Sequence, residues 1–248
     1  MKRLLPFSAT LVLLAIWQIA ASRRTDGLFP TPVQVGAGLL ELTRRGLLAR
    51  HVVASLFRVT WGYSAAVILA VPLGLLLGWY RRGEMAMGPL LQVLRPISPL
   101  AWIPISILWF GVGDGAAVFL IFLASFLPLT VAAMNAVRNV PPTLLRAGRN
   151  FGLSDARLVL DVILPAALPQ LIVALRITLG IAWLVVVAAE MIAVSSGLGF
   201  LIIDARNAGN RYDLVVAGMV MIGLIGLLLD RGMRRLERGR ALRWGYGA

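Results

Sequence analysis

The chain has 248 residues, 59% of them apolar and only 14% charged, with a formal net charge of +13 and a mean hydropathy of +0.86. A soluble domain carries roughly 25% charged residues, so an ordinary soluble protein is excluded, and arginines scattered at span ends without interleaved aromatics argue against nucleic-acid binding. There is no cysteine and a single histidine, His51, which excludes disulfides, thiol catalysis and a histidine-rich metal site within one copy.

Residues 4–22 carry no charge and follow Lys2 and Arg3. Ala20-Ala21-Ser22 has the look of a signal-cleavage region, but the run exceeds an ordinary signal core and reads as a retained span. Residues 23–58 are amphipathic and rich in arginine. Leu28-Phe29-Pro30-Thr31-Pro32 is an extended or turn segment, because residues before proline avoid the helical region. Val35, Leu39, Leu40 and Leu47 then suggest surface helices.

Residues 59–80 read as a second span, in which Gly74-x3-Gly78 permits close helix approach, in a dimer or in ordinary packing. Arg81, Arg82 and Glu84 read as a short loop. A third span over 87–110 is interrupted by Pro96, Pro99 and Pro104. Broken backbone at membrane depth is tolerated only against protein or a wet cavity. Pro96, Pro99, Trp102 and Pro104 are therefore candidate pathway or gating residues, with a kinked packing helix as the alternative. A tight turn carrying Asp114 leads to a fourth span over 116–137.

Residues 138–168 are the longest polar-containing interruption of the second half. Pro141 and Pro142 stand where a helix can begin. A helix over 143–151 would end at Gly152, the residue best suited to a left-handed position. Ser154 can cap a second helix over 156–162, with Asp155 in its first turn. Pro165 and Pro169 mark the entry to the next span, and the result is a helix–glycine–helix knuckle.

A fifth span over 169–193 holds Glu190. A charge at the bilayer centre costs about 2.5–3.5 kcal/mol on insertion scales. Glu190 is thus either a pathway or gating residue or the acceptor of structural hydrogen bonds from a neighbouring helix or loop. Arg176 lies roughly 21 Å away along the same helix and cannot pair with it. Arg95 and Arg176 read as snorkelling to lipid head groups. A polar connection over 195–212 and a sixth span over 214–229 precede a tail with six arginines. With both termini in the cytoplasm, 14 Lys and Arg lie inside and 8 outside, which favours that orientation. The reading is an all-α polytopic membrane protein with about six transmembrane helices.

The knuckle resembles the cytoplasmic loop of ABC importer permeases, whose pattern is Glu-Ala-Ala, three residues, Gly, nine residues, Ile, any residue, Leu-Pro. Arg146, Ala147, Gly148, Gly152, Val162, Leu164 and Pro165 occupy those places, with Arg146 replacing the acid and Gly148 the second alanine. Arg95-Pro96-Ile97-Ser98-Pro99-Leu100-Ala101-Trp102-Ile103-Pro104, Trp109-Phe110-Gly111, Ala188-Ala189-Glu190-Met191 and Ser195-Ser196-Gly197-Leu198-Gly199 resemble the nitrate, sulfonate and taurine branch of that family.

The resemblance implies a type I importer permease fold in a bacterial inner membrane. It implies a single permease domain over 1–248, with a peripheral segment at 1–58, core spans at 59–230, a coupling loop at 138–168 and a basic tail at 231–248. It implies ATPase-coupling roles for Ala147, Gly148, Gly152, Ser154, Asp155, Ala156, Arg157, Leu158, Leu164 and Pro165. The implied partners are a second permease copy, two ABC ATPase subunits and a periplasmic or lipid-anchored binding protein. ATP and magnesium would be bound by the ATPase, since Lys2 has nothing before it to build a P-loop. This chain would carry no cofactor and no catalytic residue. The other reading is a secondary transporter or channel that works without an ATPase. Against it, the sequence shows no internal repeat and only one deep acid.

Overall fold

A computed structural model describes residues 5–23 and 28–237. Its described residues are helical, with no strand among them. Helix α1 (Leu5–Ser22) is exposed over most of its apolar surface. It is tied down where the Trp17 indole donates to the Pro30 carbonyl at 3.1 Å. Helix α2 (Pro32–Arg44) starts at a capping box. The Thr31 hydroxyl accepts from the Gln34 amide, and the Gln34 side chain accepts from the Thr31 amide.

Helix α3 runs without interruption over Leu47–Trp79. Residues 47–58 are therefore the first turns of this long helix rather than a separate surface helix. Its start is set by Gly46, which adopts a left-handed φ of 69°. Helix α4 (Arg81–Leu94) takes in the arginines and Glu84 that read as a loop. A 3₁₀ turn (Pro99–Trp102) and α5 (Ile103–Phe110) follow, and α4 meets this second half at 86°. The expected third span is thus a sharply broken helix pair, because Pro96 and Pro99 remove two amides from the turn that would join them.

Helix α6 (Asp114–Arg138) returns through the centre. Helix α7 (Pro142–Asn150), the short α8 (Asp155–Leu158) and a π turn (Val159–Ile163) lead directly into α9 (Leu164–Ala193). Pro165 explains the π turn. Its ring would clash with the Asp161 carbonyl of a regular helix, and the wider turn relieves it. Pro165 stands in the first turn of α9, and Pro169 inside it, within one continuous helical stretch over Asp155–Ala193. Helix α10 (Leu198–Asn207) lies within the stretch expected to be a polar connection. Its buried Leu198, Leu201, Ile202 and Ala205 follow helical spacing. Helix α11 (Tyr212–Glu237) runs past the expected end of the sixth span. It carries Asp230 and Glu237 to Arg176, the nearer contact being 2.6 Å to Glu237. Arg176 thus faces protein rather than lipid heads. The tail beyond Glu237 lies outside the described residues.

Four helical stretches, Leu47–Trp79, Asp114–Arg138, Asp155–Ala193 and Tyr212–Arg235, are long and apolar enough to cross a membrane. The α4–α5 pair makes a fifth if it counts as one span, and the apolar part of α1 is shorter.

The centre is α3 against α6, with α9 packed on α6 and also touching α3. Gly62, Ala66, Ala70, Gly74 and Gly78 recur every four residues on α3, which puts them on one face. Ala66 and Ala70 are fully buried. A methyl group at Gly74 would sit 2.5 Å from both the Ala133 side chain and the Thr130 carbonyl oxygen. The Gly74-x3-Gly78 pair therefore brings α3 onto α6 of the same chain. Gly74→Val is expected to destabilise the fold by about 1–3 kcal/mol through overpacking. A lower melting temperature in detergent would check this, and an unchanged one would contradict the close approach.

Candidate functional site

The knuckle stands at one end of α6. Gly152 has φ of 76°, the left-handed value expected at this turn. The chain closes there through hydrogen bonds from the Phe151 amide to the Ala147 carbonyl and from the Leu153 amide to the Gly148 carbonyl. Gly148 is buried, and a methyl group there would lie 2.5 Å from Leu158 and 3.4 Å from Leu153 and Val162. Leu158 is fully buried beneath it. The two arms of the knuckle thus touch because residue 148 has no side chain.

Ala147, Gly152, Ser154, Asp155, Ala156, Arg157 and Pro165 are exposed, and Leu164 is half-buried. Phe151 is 87% exposed, the most exposed of the large apolar side chains among the described residues. It borders a cavity of about 700 Å³ lined also by Leu144, Ala147, Gly148, Leu153, Val162 and Pro165. Ser154 stands at the N-cap of α8, but its side chain makes no capping hydrogen bond.

At the opposite end of α6, roughly 37 Å away, a buried ion cluster joins four segments. Arg58 of α3 is 2% exposed and Glu190 of α9 is 0% exposed. The Arg58 Nη1 donates to Glu190 Oε1 at 2.7 Å and to the Ser196 carbonyl at 2.7 Å. Its Nη2 donates to Ser196 Oγ at 2.5 Å and reaches Asp114 Oδ1 at 2.7 Å. Its Nε donates to the same Asp114 oxygen at 2.8 Å. The guanidinium thus donates four hydrogen bonds and pairs with two carboxylates. Glu190 Oε2 accepts from Ser55 Oγ at 2.9 Å and from the Gly199 amide at 3.0 Å. Ser55 in turn accepts from the Leu198 amide, and His51 Nδ1 from the Gly197 amide at 3.0 Å.

The 196–199 loop is bound to α3 and α9 through its own backbone. A methyl group at Gly197 would collide with the Glu190 carboxylate, and one at Gly199 with the Val187 carbonyl. Of the two readings of Glu190, the hydrogen bonds to a neighbouring helix and loop are the ones seen here. None of them goes to the broken α4–α5 pair. In that pair Pro96 and Pro104 are exposed, and Pro99 and Trp102 are half-buried. Trp102 packs against the buried cluster of Ile103, Ala117, Leu120 and Val185. Glu190 and these four candidates therefore do not form one constellation. Among the described residues, no group of three His, Asp or Glu is placed to hold a metal ion.

Residues 70–241 match the model of a family described as binding-protein-dependent transport system inner membrane component. The chain belongs to this family. It is an ABC-transporter permease of the import type. It is 37% identical to the taurine transport system permease protein TauC of Escherichia coli (strain K12), covering 92% of this chain and 85% of that protein. It is 36% identical to the nitrate import permease protein NrtB of Synechocystis sp., covering 95% and 88%. It is likewise 36% identical to the bicarbonate transport system permease protein CmpB of Synechococcus elongatus, covering 95% and 88%. The fold matches that of a solved structure titled inward facing conformations of the MetNI methionine ABC transporter, with a TM-score of 0.69 and 21% identity, covering 77% of this chain and 95% of that one.

In this permease the structure brings the predicted knuckle residues together and adds five that sequence reasoning did not place in a site. These are His51, Ser55, Arg58, Asp114 and Ser196. The first three had a legible signal. They stand at 51, 55 and 58, in helical register with Gly62, Ala66 and Gly74 further along α3. Beginning the span at Val59 hid the continuity. Asp114 and Ser196 carried no such signal, since only folding brings them to Arg58.

Proposed function

We propose that this chain forms the translocation path of an ABC importer and couples it to a separate ATPase through the 138–168 loop. The knuckle carries the reading. A left-handed glycine, a buried glycine holding two short helices together and an exposed Phe151 beside an apolar cavity make a rigid projection with a surface for a partner to cover.

In this reading two permease copies sit on two ATPase subunits, and both termini and the knuckle face the cytoplasm. ATP binding draws the knuckles together and opens the spans outward. Hydrolysis resets the path inward. A separate binding protein delivers the solute, a small sulfonate, taurine, nitrate or related compound. The names of the relatives support that solute class.

A native mass of the gently extracted complex tests this. Two copies of the chain with two copies of a P-loop ATPase are expected. Extraction of the chain alone under several mild conditions would overturn it. Arg146 is exposed, and its site in the family pattern is acidic. Arg146→Glu is therefore expected to leave assembly and uptake unchanged. Lost uptake with normal assembly would show that the arginine itself takes part.

A further inference from the structure

A second polar cavity, of about 260 Å³, lies between α4 and α6 at the knuckle end of α6. Its walls carry Glu84, Gln92 and Arg95 from α4 and Asn135 and Arg138 from α6, over an apolar floor that includes Leu91. Glu84 and Arg138 form an ion pair across it, so their charges cancel. The Arg95 side chain has no hydrogen-bond or ion-pair partner among the described residues. The cavity therefore keeps one uncompensated positive charge.

The location adds to this. Arg95 is the C-cap residue that follows α4, directly before the break at Pro96. Broken helices at membrane depth line wet cavities, where solutes are bound. Gln92 and Arg95 are three apart on α4, as Asn135 and Arg138 are on α6, so each pair shares a face. Two carboxamides and a planar guanidinium form a donor set for a small oxyanion. The volume falls below the roughly 300–1,000 Å³ of sites for drug-sized ligands, which limits the occupant to a compact group.

We propose that this cavity binds a small singly charged oxyanion, with the Arg95 guanidinium as anchor and the Gln92 and Asn135 amides as further donors. Sulfonate, nitrate and bicarbonate groups share that chemistry, as does a lipid phosphate. The inference rests on the import reading, under which the site lies at the inner end of the path.

The test uses the full permease–ATPase complex in delipidated maltoside. Its melting temperature is followed against methanesulfonate, nitrate or bicarbonate, with chloride holding ionic strength constant. One of the three is expected to raise it at millimolar concentration. Arg95→Gln is expected to weaken the response about tenfold, the value of a charge-assisted contact, and Arg95→Lys to keep most of it. A phospholipid retained in the native mass, and lost in Arg95→Gln, would assign the oxyanion to a lipid head group. Neither a free-anion response nor an Arg95-dependent lipid would overturn the site. Failure of the import reading shows separately, as absence of the ATPase from the complex.

Discussion

Arg58→Met is expected to cost about 3–5 kcal/mol of stability, because it strands a buried charge. Glu190 is fully buried, and among the described residues Arg58 is the only cation that reaches it. Without the guanidinium, the carboxylate keeps only Ser55 and the Gly199 amide as donors. Ser196 loses the donor to both its carbonyl and its hydroxyl. The 196–199 loop should loosen, and its tie to α3 with it. The paired change Arg58→Met, Glu190→Leu removes both charges, and such replacements are often neutral. The double variant is therefore expected to melt well above the Arg58→Met single variant. A double-mutant cycle in detergent measures the coupling directly. Additive losses would show that the two groups do not depend on each other, and the cluster would lose its account.

Gly152→Val is expected to abolish uptake while leaving the membrane-embedded helices folded. The φ of 76° is open to glycine and strained for a β-branched residue. No atom lies within 4 Å of a methyl group built there, so the effect comes from backbone conformation rather than crowding. Valine should shift the turn and with it the angle between α7 and α8. Asparagine tolerates the left-handed region, so Gly152→Asn is expected to retain most uptake. Gly152→Asp has the same shape as asparagine and adds a charge on the exposed face. Loss in Asp but not Asn would place an acid-intolerant partner surface there. Uptake and ATPase stimulation measured in all three variants decide among these. Normal uptake in the valine variant would mean that the knuckle geometry does not carry coupling.

The two predictions concern opposite ends of α6, and the ends differ in how far the chain alone revealed them. The knuckle is local. Pro141, Pro142, Gly152 and Pro165 act on the backbone within a few residues of themselves, so their effect can be read in order. Even there the second arm was misread as a separate helix. The π turn depends on how Pro165 is accommodated by carbonyls already inside a helix. Ser154 stands at the expected N-cap, but its side chain makes no capping hydrogen bond.

The ion cluster is not local. Arg58 meets partners 56, 132 and 138 positions away. Sequence reading correctly held that Glu190 must be compensated, since a bare charge is too costly in lipid. It did not find the partner, because the energy of a buried ion pair carries no period along the chain. Arg176 shows the same limit. Its distance from Glu190 was sound, but its own acids stand on the far end of α11, beyond the expected span.

What the sequence by itself determined is therefore the class, the apolar spans, the broken segment around Pro96 and Pro99, and the glycine turn of the knuckle. Each follows from composition, from apolar run length or from a residue's effect on its own backbone. Only the tertiary structure decided that the small-residue face of α3 packs on α6, that Arg58 and Glu190 are one unit, and that Arg95 opens on a polar cavity. Those follow from which surfaces exclude lipid and water together, a property of packed helices that no single segment possesses.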